Sequence, residues 1–340
     1  MIVLGIETSC DECSIALVAD GSHILGQVIA TQLEEHRPYN GVVPEIASRT
    51  HTEWISRVYE EALANAKTKA TEIGAVAVTI RPGLVGSLVV GLSFAKALAF
   101  GLEVPLIGVN HILAHLYAPQ LEQPIEYPYL GLLVSGGHTL ICRVDGPLAI
   151  EVLGTTIDDA CGEAFDKVAK HYGLGYPGGV AIDKLSARGD AYAYEFPDSS
   201  LHKGDHRYDI SYSGLKTAVI NHADNYLREG LSARDASQAD LAASFQRAAI
   251  DSIVKRVKRV LKDTTMNRLV VGGGVAANSY LRTALNALPG VEAVFPSFSL
   301  CADNGAMIAG LGYHQLKAGE VDDLSLDVVA RVPGFRKTYP

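Results

Sequence analysis

Two histidines in this sequence have the spacing of a metal site. His111 and His115 lie four positions apart, which on a helix puts both imidazoles on one face, within reach of a single ion. An isolated pair of this kind is more often two surface or core histidines. Asp303 is the candidate third ligand, although an aspartate there could instead cap the last helix. Two histidines and one carboxylate with open positions would suit iron or zinc.

Other residues of the sequence limit the chemistry. Ile112 follows His111 where a zinc-protease helix needs glutamate, so peptide hydrolysis is disfavoured. Cys10 and Cys13 form a single C-x-x-C, which lacks the four ligands of a thiolate metal site and favours two buried or turn cysteines. Asp11, between them, could act as a base or orient a metal-bound group, or could belong to a solvated turn.

A glycine turn follows a hydrophobic run at residues 133–138. Glycines there let backbone N–H groups approach phosphate oxygens, and Ser135 adds a hydroxyl donor. A plain hairpin turn is the alternative. The similar position of the turn at residues 8–11 in the first half of the chain favours phosphate binding.

A second glycine turn, at residues 270–278, lies between a strand and a helix start, an arrangement that suits a nucleotide. It also matches a loose dinucleotide fingerprint at Gly272, Gly274 and Ala277. A nicotinamide cofactor is nevertheless disfavoured, because Glu292 lies near the start of its strand rather than at the end. The sequence has no G-x-x-x-x-G-K-[ST] loop, so the chain is not itself a P-loop ATPase.

The bulk properties indicate a globular α/β protein of 340 residues, too long for one ordinary core. Its formal net charge of −9 means that any nucleic-acid contact must be a local basic patch or must be helped by a partner. The basic run 255–259 is one such patch, although most runs of this kind are solvated helix faces. Five scattered cysteines and no signal peptide or expected membrane span favour the cytoplasm.

The elements that would position these residues occur twice. In the first half, strands are predicted at 1–7, 14–19, 24–30, 75–80 and 104–109, with helices at 42–67 and 87–101. In the second half, strands are predicted at 129–135, 139–144, 149–153, 268–271 and 291–295, with helices at 158–172, 214–227, 234–262, 276–288 and 304–317. Two such halves predict a duplicated α/β fold with two lobes and a ligand cleft between them.

The predicted domain limits follow from this repeat. The first lobe comprises residues 1–110 plus a returning helix at about 303–325, and the second comprises 111–302. Residues of about 188–213 lack a clear period and are predicted to be an inserted loop, while 326–340 form a C-terminal tail.

Taken together, the motifs resemble those of the bacterial TsaD (Gcp) family, the tRNA N6-adenosine threonylcarbamoyltransferases. The similarity runs almost from end to end and rests on long stretches at 5–12, 41–49, 82–86, 111–115, 133–139, 158–167, 176–179, 213–217 and 272–278. This resemblance implies the fold of actin, sugar kinases and heat-shock ATPases (ASKHA). It also implies an acyltransferase that moves the threonylcarbamoyl group of threonylcarbamoyladenylate to N6 of adenosine 37 in tRNAs reading ANN codons.

The resemblance assigns roles to residues. The metal ligands would be His111, His115 and Asp303, holding one divalent ion per subunit, iron or zinc, and Asp11 would be the catalytic acidic residue. The expected substrate contacts are Leu133, Val134, Ser135, Gly136, Gly137, Asp166, Gly179, Asp183 and Asn278.

The same family works with an inactive paralogue, TsaB, and a P-loop ATPase, TsaE, and the missing Walker loop fits that division of labour. A small-molecule kinase or ATPase of the same fold is the rival interpretation, which would not need the histidine pair. A non-enzymatic scaffold is the second rival.

Overall fold

A computed structural model describes residues 1–198, 201, 206–232 and 235–332. Backbone contacts group these residues into two units, each built on a mixed β-sheet. The first unit comprises Met1–Tyr127, Gly146–Ala149 and a segment that begins at Pro296. The second comprises Pro128–Asp145 and Ile150–Phe295.

The sheet of the first unit has the strand order β3-β2-β1-β4-β5. Its strands are β1 (Ile2–Glu7), β2 (Glu12–Ala19), β3 (His23–Thr31), β4 (Ile73–Arg81) and β5 (Leu106–Asn110). The first three form an antiparallel meander, whereas β4 runs parallel to β1 and β5 runs parallel to β4. The carboxyl ends of β1, β4 and β5 therefore meet at one edge of the sheet.

The sheet of the second unit repeats this order as β8-β7-β6-β9-β10. Its strands are β6 (Tyr129–Val134), β7 (Thr139–Val144), β8 (Ile150–Thr155), β9 (Arg268–Gly272) and β10 (Glu292–Val294). Here too a meander is followed by two strands parallel to the first, β6 with β9 and β9 with β10. The predicted duplication is confirmed in topology, strand by strand.

The α-helices lie between and after these strands in the sequence. They are α1 (Leu33–His36), α2 (Pro44–Ala66), α3 (Val85–Leu102), α4 (His111–Tyr117), α5 (Cys161–Tyr172), α6 (Gly178–Ser186), α7 (Ser213–His222), α8 (Gln238–Thr264), α9 (Ser279–Asn286), α10 (Phe298–Cys301) and α11 (Gly305–Lys317). Most lie where the apolar spacing predicts them. The prediction lacked the four-residue helices α1 and α10. It also lacked α6, because the first two residues of that helix are glycines, which favour turns over helix starts.

Core residues pack on both faces of the first sheet. Successive side chains of β1 point to opposite faces, and both sets are buried. Val3 packs with Met307 of α11, whereas the next residue, Leu4, packs on the opposite face with Ile55 of α2. A Cβ on Gly5 would lie 2.1 Å from the carbonyl oxygen of residue 305, so glycine is needed for the close approach of α11 to this strand.

The first unit continues past the boundary predicted near residue 110. The reason is that α4 and the turn after it pack against α11, which itself packs against β1, β2 and β4. The described part of the C-terminal tail also belongs here, since the Val329 N–H donates to the Ile80 carbonyl at 2.9 Å. Residues 333–340 of that tail, and 199–200 and 202–205 of the predicted inserted loop, lie outside the described residues.

One helix of the described chain, α3, is long and apolar enough to cross a membrane by length and composition alone. It packs against α2 and β4, with Leu88, Leu92 and Ala95 buried there. These contacts are those of a helix that covers a sheet.

Candidate metal centre and phosphate site

The two histidines lie directly after β5. The Asn110 side chain accepts a hydrogen bond from the Ile112 N–H at 2.9 Å and so caps α4. The helix therefore begins at His111, and His115 follows one turn later with its ring centroid 4.6 Å away. Both side chains are buried, as two ligands of one ion would be.

Asp303 joins this pair from the other end of the chain. Its Oδ1 lies 3.0 Å from His115 Nε2, across 188 residues of sequence, and 3.5 Å from His111 Nε2. The cap of α11 is Asn304, whose side chain accepts from the Met307 N–H at 2.9 Å. The capping alternative for Asp303 is therefore wrong, and its carboxylate faces the imidazoles.

Glu7 also belongs to this cluster, as a hydrogen-bond partner of His111. No role was predicted for it from the sequence. It ends β1 fully buried, and its carboxylate accepts from His111 Nδ1 at 2.9 Å and from the Thr79 hydroxyl and the Ser9 N–H, each at 2.5 Å. A hydrogen bond at Nδ1 fixes the tautomer that leaves Nε2 available as a ligand. The sequence did contain a signal for this role, since Glu7 ends an otherwise apolar strand. A carboxylate buried there needs polar or charged partners.

The electrostatics of the cluster favour a positive charge. Burial by itself opposes the imidazolium, but Asp303 and Glu7 raise the pKa of His111 to about 9. Burial by itself opposes the Glu7 carboxylate too, yet His111 and Ser9 leave its pKa lowered. A proton on His111 thus occupies the place that a cation would take, and binding a metal would displace it.

The three candidate ligands fit a metal ion in distance and in chemistry. Their ligand atoms all lie within 4.8 Å of one another. Bonds of about 2.0–2.2 Å place neighbouring ligand atoms about 3.0–3.5 Å apart, so only small side-chain movements are needed. The imidazole and carboxylate donors suit iron or zinc.

Asp11 lies in the turn between β1 and β2, and Glu12 is the first residue of β2; both side chains are half-buried. Burial, and then the charges of Asp303 and Asp11, raise the pKa of Glu12 well above its usual range. The charge of Asp303 thus acts on Glu12 as well as on the histidines. Cys10 and Cys13 are free thiols, in agreement with the predicted buried or turn cysteines.

In the second unit, the glycine turn at 135–138 is the hairpin between β6 and β7. It closes through the Ser135 N–H, which donates to the His138 carbonyl at 2.8 Å. The first turn of α5 rests on it, because the Gly162 N–H donates to the Ser135 carbonyl at 3.2 Å. A Cβ on Gly162 would lie 2.8 Å from Gly136 Cα, so a larger residue would separate the helix from the turn.

The second glycine turn adjoins the first at the carboxyl ends of β6 and β9. Leu133 pairs with Gly272, and Gly273 follows with a φ of 90°. A Cβ on Gly273 would lie 2.5 Å from the Val134 carbonyl oxygen, so only glycine lets the two turns meet. By contrast, a Cβ on Gly136 or Gly137 would meet nothing within 4 Å, which leaves open space beside the hairpin.

Asp183 and Asn278 come together near this edge. The Asn278 amide donates to Asp183 Oδ1 at 3.3 Å and to Gln246 Oε1 at 2.8 Å, while its own oxygen accepts from the Leu281 N–H and caps α9. The Ser279 hydroxyl also donates to Asp183, at 2.7 Å. Gln246 was missed, since a glutamine inside a long amphipathic helix gives no signal in sequence.

The remaining predicted substrate contacts are placed as follows. Asp166 on α5 accepts from the Gly178 N–H at 2.8 Å, which puts it beside Gly179 in the first turn of α6. Leu133 and Val134 are fully buried in β6, so any ligand contact of theirs would use the backbone.

Solved structures resemble this chain in fold. The chain matches full-length HypF in its phosphate- and nucleotide-bound form with a TM-score of 0.62 at 17% identity, covering 94% of this chain and 46% of that one. It matches component A of (R)-2-hydroxyglutaryl-CoA dehydratase from Acidaminococcus fermentans with a TM-score of 0.56 at 15% identity, covering 93% and 99%. This likeness, with the two sheets of equal strand order, defines an α/β protein of the duplicated ASKHA class.

Sequence comparison is more specific. The family model TsaD, tRNA N6-adenosine threonylcarbamoyltransferase, matches residues 23–310. A protein of that name from Treponema denticola is 54% identical over 99% of both chains, and one from Borrelia garinii subsp. bavariensis is 50% identical over 100% of this chain and 99% of its own. The chain belongs to the tRNA N6-adenosine threonylcarbamoyltransferase family.

Proposed function

We propose that this chain transfers the threonylcarbamoyl group of L-threonylcarbamoyladenylate to N6 of adenosine 37 in tRNAs reading ANN codons. In this reaction the N6 amine attacks the carbamoyl carbon, AMP leaves, and the amine loses a proton. Family membership across nearly the whole chain supports the reaction.

The observation that carries the proposal to residues is the convergence of His111, His115 and Asp303 within 4.8 Å. A small-molecule kinase or ATPase of the same fold uses glycine turns but has no need of two buried imidazoles facing a carboxylate. No observation favours that rival.

We assign the metal centre to the first unit. His111, His115 and Asp303 would hold one divalent ion, iron or zinc, which when bound would supply Lewis-acid polarisation of the group being transferred. Glu7 would hold His111 in the ligating tautomer through its 2.9 Å hydrogen bond. Asp11, in the same unit, is the proposed catalytic acidic residue.

We assign the adenylate to the second unit. Its phosphate would be held by Ser135 and the N–H groups of Gly136 and Gly137, at a turn on which α5 begins, because helix starts and glycine turns favour anions. Asp166, Gly179, Asp183 and Asn278 would orient the rest of the ligand. The hydrogen bonds that already join Asp183 to Asn278 keep these side chains in one conformation before the ligand arrives.

The partners proposed with tRNA are a TsaB-like inactive paralogue and a TsaE-like P-loop ATPase, since this sequence lacks a Walker loop of its own. The proposed location is the cytoplasm.

The test is mass analysis of tRNA nucleosides after incubation with threonine, bicarbonate, ATP and the partner proteins, with and without this chain. Threonylcarbamoyladenosine is expected only when the chain is present. A second reaction supplied with the adenylate and no ATP separates transfer from adenylate synthesis. Phosphotransfer from ATP to a small molecule that persists when Mg²⁺ is supplied after the tightly bound metal has been removed, with no modified nucleoside, would contradict the proposal and favour the kinase.

A further inference from the structure

The second half of α8 carries a basic stripe that no part of the proposed reaction uses. We define the basic stripe as Lys255, Lys258, Arg259 and Lys262. Their spacing of three and four residues places all four on one helical face, which is solvent-exposed over about 10 Å of helix length. No acidic residue lies between Lys255 and Lys262 in the sequence, and the exposed Asp263 follows Lys262 directly.

The stripe stands out against the rest of the molecule. The formal net charge of the chain is −9, whereas these two turns of one helix carry four positive charges. The local charge is therefore opposite in sign to that of the whole chain. The negative end of the helix dipole explains Lys262, which lies in the last turn of α8, but this effect fades within one turn. Lys255 and Lys258 lie further back and have no such explanation.

Internal ion pairs use only part of this charge. Lys255 pairs with Asp198 at 2.9 Å, and the Arg259 guanidinium donates to the carbonyl of residue 207 at 3.0 Å. Among the described residues, neither Lys258 nor Lys262 has a carboxylate partner within 4.0 Å. Arg256, between Lys255 and Lys258 in sequence, is buried and donates to the Asp209 carbonyl, so it is no part of the exposed face.

The surface beside the stripe is concave and carries a cation–π contact between an arginine and a tyrosine. A depression of about 510 Å³ is lined by Arg207, Lys258, Arg259, Lys262 and Asp263. The Arg207 guanidinium lies 4.5 Å from the centroid of the Tyr208 ring, whose hydroxyl donates to Asp263 at 2.7 Å. Because the depression is wide and shallow, it suits an extended polyanion better than a small anion, which an enclosed pocket holds.

We infer that the basic stripe docks the phosphate backbone of the tRNA substrate, with residues other than those assigned to the metal and the adenylate. Lys258 and Lys262, which have no carboxylate partner within 4.0 Å among the described residues, would contact phosphates as point charges and carry no sequence preference. The inference rests on the proposed function only in taking tRNA as the polyanion. An acidic protein partner is the competing occupant.

The experiment measures the Kd of the full-length chain for unmodified tRNA between 50 and 200 mM salt, for the wild type and for Lys258→Gln/Lys262→Gln. Loss of two phosphate contacts is expected to reduce the slope of log K against log salt by about 1.4–1.8, so wild-type affinity falls about tenfold more than variant affinity over this range. Both side chains are exposed, so Tm should be unchanged. Lys258→Glu/Lys262→Glu should weaken binding further.

The matched control removes two exposed charges elsewhere in the second unit, with Lys170→Gln/Arg188→Gln, and should keep the wild-type slope. An unchanged slope in the stripe variant, or an equal loss in the control, would overturn the inference. So would tRNA binding that stays intact while the stripe variant loses a TsaB-like or TsaE-like partner in co-purification. If wild-type protein makes no modified nucleoside yet binds tRNA through the stripe, the docking surface stands and the proposed transfer fails.

Discussion

The two sheets share one strand order, yet different chemistry lies at their carboxyl ends. In the first unit, Glu7 ends β1 and His111 follows β5; both are buried, and His111 lies between Glu7 and Asp303. In the second, the ends of β6 and β9, which correspond to β1 and β4, lead into glycine turns beside Ser135. The duplicated scaffold thus supplies the same place twice, and the side chains decide which charge it binds.

The difference has a physical origin: the first site presents charged and imidazole side chains, and the second presents backbone N–H groups. Carboxylates and imidazoles withdrawn from water attract a cation, and burial strengthens that attraction. Glycines expose backbone N–H groups, which attract an anion without any side-chain charge. Substitutions at the metal candidates of the first unit should therefore abolish metal binding and leave adenylate binding intact. Substitutions at the glycine turns of the second unit should weaken adenylate binding and leave metal binding intact.

The largest effect is expected from Asp303→Asn. An amide is a weaker ligand than a carboxylate and carries no charge, so bound metal should fall from about one per chain to less than a tenth, and tRNA modification should fall at least 100-fold. Plasma emission spectrometry of the dialysed protein measures the metal. Glu151→Gln, an exposed carboxylate in the second unit, is the control and should keep full metal content. Metal retained by Asp303→Asn would break the comparison.

Gly136→Val should produce the next largest effect. The new side chain points into open space, so the fold should tolerate it, but it would fill the room a phosphate needs. Affinity for the adenylate or AMP, measured by calorimetry, should fall about 100-fold, or about 2.7 kcal/mol, with metal content unchanged. Gly101→Val, also in open space but on α3, should not alter affinity. Wild-type binding by Gly136→Val would show that the turn is only a hairpin.

Glu7→Gln tests the partner of the metal ligand. The amide keeps the shape but loses the charge that orients His111 Nδ1, so metal affinity should fall about 10–100-fold while adenylate affinity stays unchanged. Competition with a metal chelator measures this. Ser14→Ala, which removes a hydroxyl bonded to residues 28 and 305 in the same unit, serves as a control for general loosening. An equal loss in both variants would mean that Glu7 acts only through stability.

The smallest effect is expected from Asn304→Ala, which removes the cap of α11. The free energy of unfolding should fall by about 1–2 kcal/mol, and Asn304→Ser should restore most of it, because serine also caps. Urea denaturation measures both. Metal affinity that falls as much as in Asp303→Asn would show that residue 304, rather than the carboxylate beside it, organises the centre.

Much of the fold followed from the sequence because the strands are apolar runs of ordinary length and the long helices have regular spacing. The spacing made His111 and His115 a candidate pair, since residues four apart on a helix share one face, but the ligand role came from the resemblance to the TsaD family. The role of Glu7 was not found, because the chemistry of a residue at a strand end depends on which strands lie beside it. Here β4 supplies Thr79, and the residue after β5 is His111.

Asp303 shows where sequence reasoning stops. Asp303 and Asn304 are both good capping residues, and the sequence alone does not choose between them. Backbone geometry makes Asn304 the cap and so leaves the Asp303 carboxylate for His115. In the second unit, the contact of Gln246 with Asn278 likewise depends on tertiary packing that no local pattern reports.

The most direct test of the account is anomalous scattering at the iron and zinc edges from crystals of the metal-loaded chain. We expect one strong peak about 2.0–2.2 Å from His111 Nε2, His115 Nε2 and an Asp303 oxygen. A peak at Cys10 and Cys13, or none near the histidine pair in fully loaded protein, would contradict the cation site assigned to the first unit.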